Sequence, residues 1–515
     1  MRIAIEKILK GLFSRITLVI IGLAIQFFWF FFLIVFLKNR FPFLDWIMFA
    51  AEILTVLWII NRRMDNGYKL IWILMILIVP IVGFIFYFLM GKSSEAKKLN
   101  RSMRVVEEQS RKLVTQNPLV AERLCTQSKR AYGESRYISE GAFWPSYQNT
   151  ETRYFGSGEE WFECFIEEIK KAEHYIFMEY FIIQEGYMWG KVVDILKEKA
   201  AAGVDVRLIY DGIGTMACLP NKYYLRMREL GIKCYCYQPF RPFLNIIQNN
   251  RDHRKITVID GKTAFAGGLN FSDEYINKVE RFGKWKDSGL CIKGAAVRSL
   301  SVMFLQMWAV VSKTKVDIEP YLLEYEECSS YKTNGFVQPY GDSPLDDEYT
   351  GENVYLNMIG NARDYLYIFS PYLSLDQQLM SALCNCSKRG VDVRIVVPAI
   401  PDKKYVYLLT RSYFAQLIEA GVRIYEYTPG FIHSKSFVCD DKYAVVGTIN
   451  LDYRSLYLHY ECGVWLYDNS CVADVKKDCL ETFEMSREVM LEDCGVRSIA
   501  KGFFQAFLRV IAPIL

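Results

Sequence analysis

Two short segments of this chain repeat histidine, lysine, aspartate, glycine and asparagine at matching intervals. The first reads His253-Arg254-Lys255-Ile256-Thr257-Val258-Ile259-Asp260, followed by Gly267-Gly268-Leu269-Asn270. The second reads His433-Ser434-Lys435-Ser436-Phe437-Val438-Cys439-Asp440, followed by Gly447-Thr448-Ile449-Asn450. Corresponding residues are 180 positions apart, and the chain has only four histidines, two of them here. One His-x-Lys is common by chance; two with matching downstream residues are not. On a strand, residues i and i+2 project from one face, so each His and Lys share a site while Arg254 and Ser434 point away.

If the two segments converge, two His, two Lys and two Asn meet, and that set suits a phosphodiester. Lys255, Lys435 and the amides of Asn270 and Asn450 can clamp non-bridging oxygens and offset charge that builds up during displacement. One imidazole can attack phosphorus and hold the phosphoryl group covalently. The other can protonate the departing alkoxide and then deprotonate the incoming alcohol. This chemistry calls for no metal and no cofactor. The two Cys-x-Cys pairs, Cys234/Cys236 and Cys384/Cys386, lack the further ligands of a zinc site.

The elements that position these residues are duplicated. Gly203-Val204-Asp205-Val206-Arg207 recurs as Gly390-Val391-Asp392-Val393-Arg394, each after a helical stretch and before an apolar run. Further apolar runs lie upstream, Tyr175–Ile183 and Tyr365–Leu373. Downstream, Met227–Lys233 and Leu417–Arg423 each read as a helix closed by a glycine, Gly231 or Gly421, and followed by a strand. Strands that alternate with helices predict an α/β fold: two lobes with largely parallel sheets flanked by helices. The predicted organisation is membrane-anchoring segments over 1–95, a juxtamembrane linker or helix over 96–130, a first lobe over 131–315 and a second over 316–515.

Composition supports a membrane enzyme. Ile16–Leu37 and Leu70–Met90 contain no charged residue over 22 and 21 positions, enough for a hydrocarbon core of about 30 Å at about 1.5 Å per residue. Phe43–Ile60 is also apolar but holds Asp45 and Glu52. Basic residues flank every candidate end, so both two and three crossings fit the charge pattern. The net charge of +4 is small for 515 residues and argues against a nucleic-acid partner. Fourteen unpatterned cysteines suit a reducing compartment, which puts the soluble part on the cytoplasmic side. Near the C-terminus, Arg497, Lys501, Gln505 and Arg509 form one stripe of a helix, with Phe503, Phe504, Phe507, Val510, Ile511 and Ile514 on the rest. That pattern fits anionic membrane lipid, and a helix packed on the core equally.

Two His-x-Lys-x4-Asp motifs, each followed by Gly and then Asn, resemble the phospholipase D superfamily. Asn250–Lys255 with Val258–Lys262, Val337–Pro344, Gly430–Lys435 and Gly447–Ser455 are similar to bacterial cardiolipin synthases. The resemblance covers nearly the whole chain; Thr448, where the superfamily more often has Ser, keeps the hydroxyl. It implies transfer of a phosphatidyl group between two phosphatidylglycerol molecules, giving cardiolipin and glycerol, at the cytoplasmic face of a bacterial cell membrane. It also implies His253 as the nucleophile and includes Asp260 and Asp440 in the catalytic motif. Their strand parity and the Asp260-Gly261 turn signal favour a structural role for both aspartates instead. Asp287 and Glu461 are the candidates to orient the imidazoles, 34 and 28 residues past His253 and His433. His174 and His459 are assigned to structure. Other readings are another superfamily phosphatidyltransferase or hydrolase, a nuclease, or a non-enzymatic scaffold.

Overall fold

The computed structural model describes residues 44–62, 64–78, 94–239, 249–324, 327–332, 335–346, 348–495 and 499–514, together with Phe28, Phe31, Phe32, Gly83 and Tyr87. They form two units, residues 1–98 with 240–249, and residues 99–239 with 250–515. In the first unit, helices Leu44–Ile60 and Asn66–Ile78 pack on each other. Tyr87 makes T-shaped contacts with Trp58 and Trp72, ring centroids 5.7 and 5.2 Å apart. Among the described residues no helix is long and apolar enough to cross a membrane. The predicted span 16–37 lies largely outside those residues, and of the predicted span 70–90 the described part is helical over 70–78 with Gly83 and Tyr87 beyond it.

The second unit is built on two sheets. Strands β1 (Thr150–Phe155), β2 (Tyr175–Tyr180), β3 (Asp205–Asp211), β4 (Lys233–Tyr237), β5 (Lys255–Ile259), β6 (Thr263–Gly267) and β8 (Gly289–Gly294) make the first. Its order is β1-β8-β6-β5-β2-β3-β4. Strands β9 (Phe336–Asp342), β10 (Tyr365–Phe369), β11 (Asp392–Pro398), β12 (Arg423–Tyr427), β14 (Ser436–Cys439), β15 (Tyr443–Gly447), β16 (Glu461–Tyr467) and β17 (Ser486–Val489) make the second. Its order is β17-β12-β11-β10-β14-β15-β16-β9. The short strands β7 (Lys284–Lys286) and β13 (Gly430–Ile432) pair in parallel with each other, joining the lobes.

The sheets are mixed, which corrects the expectation of largely parallel ones. Within the two large sheets only β2-β3-β4 and β10-β11-β12 are parallel. There helices Tyr187–Ala201 and Gln377–Lys388 supply the crossovers that parallel neighbours require. Two of the antiparallel pairs, β5-β6 and β14-β15, follow from tight turns. Asp260 and Gly261 link β5 to β6 with φ of 50° and 64°, and Asp440 and Asp441 link β14 to β15 with φ of 53° at both. Such turns can only return the chain antiparallel. The predicted glycine stops Gly231 and Gly421 lie at positive φ, 83° and 96°, and so do Gly203 and Gly390 at the head of the repeated segment, 92° and 94°.

Helix Val297–Ser312 is buried from Val297 to Trp308, apart from Arg298. It touches β2, β4 and β5 of one sheet and β9 of the other. Phe304 stacks on Phe177 of β2 at 4.8 Å. One apolar core contains Phe177, Ile256 and Phe304 together with Tyr367, Val438 and Val464, so the two lobes share an interior. Residues 94–136 add helices Ser94–Ser110, Pro118–Gln127 and Lys129–Arg136. These dock on both lobes: Gln306 Nε2 donates to Ser110 Oγ at 2.7 Å and Trp465 Nε1 to Glu134 Oε2 at 2.9 Å.

Candidate functional site

His253 and His433 each lie just ahead of a strand, β5 and β14, where the chain crosses to the other lobe. The His253 amide donates to Tyr460 O at 2.9 Å, and the His433 amide to Lys286 O at 2.7 Å. The side chains cross as well. His253 Nδ1 lies 2.9 Å from both oxygens of Glu461, and His433 Nδ1 lies 2.6 Å from Asp287 Oδ2. The two orienting candidates therefore do meet imidazoles, but each serves the lobe it does not belong to. Spacing within a lobe pairs them the other way, and that expectation is corrected here.

Burial and charge set the states of these groups. Both carboxylates are fully buried, and the imidazoles are 7% and 8% exposed. Burial alone would raise Glu461, but the His253 ring beside it outweighs that and holds the carboxyl below its ordinary range. Burial lowers His253 to about 3. An ionised Glu461 with a neutral ring places the proton on Nδ1 and leaves the Nε2 lone pair free. Asp287 differs: burial pushes it up to about 7, against the pull of Lys435. His433 is held well below its ordinary value by burial and then by Lys435.

Lys255 and Lys435 are buried, and each ammonium donates to the carbonyl of its own histidine. Burial lowers them to about 8 and about 7. The charge of Lys255 reaches Glu461, Asp287 and His433, so both motifs act within one electrostatic cluster. Aromatic rings wall it. Phe181 meets His253 edge-on at 4.8 Å, while Tyr275 and Trp285 lie 5.5 and 5.4 Å from His433. Arg254 turns the other way into an ion pair with Glu179 at 2.5 Å, and Ser434 Oγ lies 2.5 Å from Ser288 Oγ. On Arg254's side lies a cavity of about 400 Å³ that none of the four motif His and Lys residues lines.

Asn270 accepts from the Ile182 amide at 2.9 Å and donates to Tyr275 Oη at 2.7 Å. Asn450 donates to Ser455 Oγ at 3.1 Å. Each has a second amide hydrogen to offer. Asp260 and Asp440 stand apart from the imidazoles. Asp260 accepts from the amides of Glu173, His174 and Tyr175 at 2.7–2.9 Å, and Asp440 from those of Arg363, Asp364 and Tyr365 at 2.8–3.1 Å. Both tie a left-handed turn to the start of a strand.

Two features escaped the sequence reading. His459, assigned to structure, lies in the site: its Nδ1 is 3.6 Å from Glu461 Oε1 and its ring 5.5 Å from His253. Neither of its ring nitrogens has a hydrogen-bond partner among the described residues. The signal was present, since 459 and 461 share strand parity as 253 and 255 do. Among the described residues, His253, His459 and Glu461 form one group whose donor atoms lie within 4.8 Å of one another and could reach a metal ion. Glu461 already serves His253 and accepts from Thr448 Oγ1 at 2.5 Å. The second feature is Gly268, the counterpart of Thr448. A Cβ there would stand 2.1 Å from Asp287 Oδ1, so only glycine leaves room for that carboxylate.

The family described as "Cardiolipin synthase, PLD-like domain" matches residues 165–308 and 355–484, and the one described as "Phospholipase_D-nuclease N-terminal" matches 50–92. An uncharacterised protein of Streptococcus mutans is 42% identical over 461 residues, 90% of this chain and 99% of that protein. Cardiolipin synthase 2 of Bacillus anthracis is 34% identical over 462 residues, 89% of each chain. The crystal structure of phosphatidylserine synthase from Haemophilus influenzae Rd KW20 shares the fold, with a TM-score of 0.54 and 16% identity. That match covers 74% of this chain and 98% of that one.

Proposed function

The chain belongs to the phospholipase D-like cardiolipin synthases, which makes it a phosphatidyltransferase, and we propose that it makes cardiolipin and glycerol from two phosphatidylglycerol molecules through a phosphohistidine. The observation that carries this reading is the crossed pairing of His253 with Glu461 and His433 with Asp287, which builds one site from both lobes.

In the first step His253 Nε2 attacks phosphorus, the N–P bond forms and the P–O bond to glycerol breaks. A protonated His433 gives its proton to the departing alkoxide. Burial and Lys435 hold His433 well below its ordinary value and so favour the neutral ring, and an arriving phosphodiester anion supplies the negative charge that favours protonation. In the second step a hydroxyl of another phosphatidylglycerol attacks phosphorus, the N–P bond breaks and His433 takes the proton. Lys255, Lys435, Asn270 and Asn450 hold the non-bridging oxygens throughout. His253 fits the nucleophile because an ionised Glu461 fixes its tautomer, whereas Asp287 at about 7 suits the partner that exchanges protons. The reaction belongs at a bacterial cell membrane, with multi-pass N-terminal segments and the lobes on the cytoplasmic side.

Purified full-length protein incubated with labelled phosphatidylglycerol should release glycerol in a one-to-one ratio with cardiolipin. Acid-labile label should appear on His253 and be absent after His253→Ala. Cardiolipin that forms only when CDP-diacylglycerol is supplied would overturn the substrate. Turnover by either His253→Ala or His433→Ala would overturn the two-histidine mechanism.

A further inference from the structure

Helix Ile499–Ile511 lies along helix Lys404–Ser412. Its inner side buries Leu508, followed by Ala512 in the next turn, while Gln505 Nε2 donates to Leu408 O at 3.3 Å. The Arg509 guanidinium sits 4.5 Å over the Tyr413 ring. The outer side leaves Phe503 77%, Phe507 57% and Phe504 44% exposed, with Ile514 beyond them at 48%. Three open phenylalanines on one short helix are costly in water, since each ring carries a large apolar area.

The supporting helix ties this surface to the reaction site. It follows β11, whose last residues lead into Ile400, Lys403, Lys404 and Tyr405, all exposed. The Ile400 amide donates to Gly430 O at 3.4 Å, at the start of the strand that ends beside His433. Tyr372 Oη donates to Asp402 at 2.7 Å, and its ring packs against Phe431, which stacks on His433 at 6.0 Å. The Lys403 charge itself reaches His433. The exposed apolar residues and the imidazole thus belong to one end of the second sheet.

Charge identifies the occupant. Residues 499–511 include Lys501 and Arg509 and no acidic residue, and the neighbouring rim adds Lys403 and Lys404. A second copy would set basic rim against basic rim, whereas an anionic lipid surface complements it and takes up phenylalanine at the headgroup boundary. We propose that Phe503, Phe504 and Phe507, with Ile400, Lys403, Lys404 and Tyr405, dock the catalytic lobes on an anionic phospholipid leaflet. This contact is separate from the N-terminal anchor and brings the mouth of the two-histidine site to the depth of the phosphodiester. The inference rests on the phosphatidyltransferase reading.

The test uses full-length protein in nanodiscs that contain phosphatidylglycerol with a photoactivatable acyl chain. Irradiation and peptide mapping should find lipid adducts within residues 499–511. Adducts confined to residues 1–95, or cross-linking of 499–511 to another protein chain, would overturn the docking. The double variant Phe503→Ser/Phe507→Ser gives an independent reading. It should lose at least about tenfold in activity on bilayer phosphatidylglycerol, yet stay within about twofold of the parent on monomeric short-chain phosphatidylglycerol. Equal activities of variant and parent on the bilayer, or equal losses on both substrates, would also overturn it. No cardiolipin from either lipid with the parent protein would refute the reaction instead, and the adduct map would still decide the docking.

Discussion

His253 and His433 each give Nδ1 to a buried carboxylate, but the carboxylates are not equivalent. Glu461 is held ionised and also accepts from Thr448, whereas Asp287 sits near neutrality under burial. Removing either charge lets the imidazole take the wrong tautomer. Glu461→Gln and Asp287→Asn should each cut kcat by on the order of 10²–10⁴-fold with little change in Tm, by analogy with other carboxylate-oriented histidines. Steady-state rates on phosphatidylglycerol check this, and rates within a few-fold of the parent would contradict it. The lysines give a pH signature. An ammonium clamps phosphate only while protonated, and burial has lowered Lys255 to about 8 and Lys435 to about 7. Charge is therefore present below those values and lost as pH rises through them. kcat/KM, which reports the free enzyme, should fall on the alkaline side from about pH 7–8. A bound phosphodiester anion raises the lysines again, so kcat should hold to higher pH, and coincident alkaline limbs would sink this account. At this scale the cluster of two histidines and two lysines was legible because the motif occurs twice. His459 was passed over, since a lone histidine carries no repeat to draw attention to the parity it shares with Glu461.

Strands and helices were legible from the repeated Gly-Val-Asp-Val-Arg segments and the glycine stops, but their pairing directions were not. Alternation of strand and helix suggests parallel neighbours, and it holds only where a helix intervenes. The Asp260-Gly261 turn already signalled an antiparallel return, and four of the six pairings in the first sheet follow that sense. The same turns explain the motif aspartates. Asp260→Asn keeps one of the two accepting oxygens and loses the charge, so it should lower Tm while activity per folded molecule stays within a few-fold of the parent. Lost activity at unchanged Tm would reassign Asp260 to chemistry. Gly268 makes the opposite prediction. Gly268→Ala forces a methyl group against Asp287 Oδ1, 2.1 Å away, so turnover should fall by roughly the same factor as in Asp287→Asn. The Ala variant's rate and Tm, set beside those of Asp287→Asn, test this.

Across the whole chain, the repeat announced two lobes but could not show that they exchange parts, because sequence separation does not say which lobe a carboxylate faces. Helix Val297–Ser312 lies in one core shared by both sheets. Phe304→Ala should destabilise the fold by about 3–5 kcal/mol, and a shared core means the lobes should unfold together. Near-ultraviolet circular dichroism against denaturant should show one transition moved to lower concentration, and two separate transitions would argue for independent lobes. The exchange has a further consequence during synthesis. His253 meets Glu461 only after 208 more residues have been joined, which takes about 10–40 s at about 5–20 residues per second. A chain still on the ribosome, or one truncated before Glu461, carries His253, the proposed nucleophile, without the carboxylate that orients it. On the proposed mechanism the enzyme should be inert while its first lobe is newly made, and gain the ability to transfer a phosphatidyl group only when almost all of its length exists.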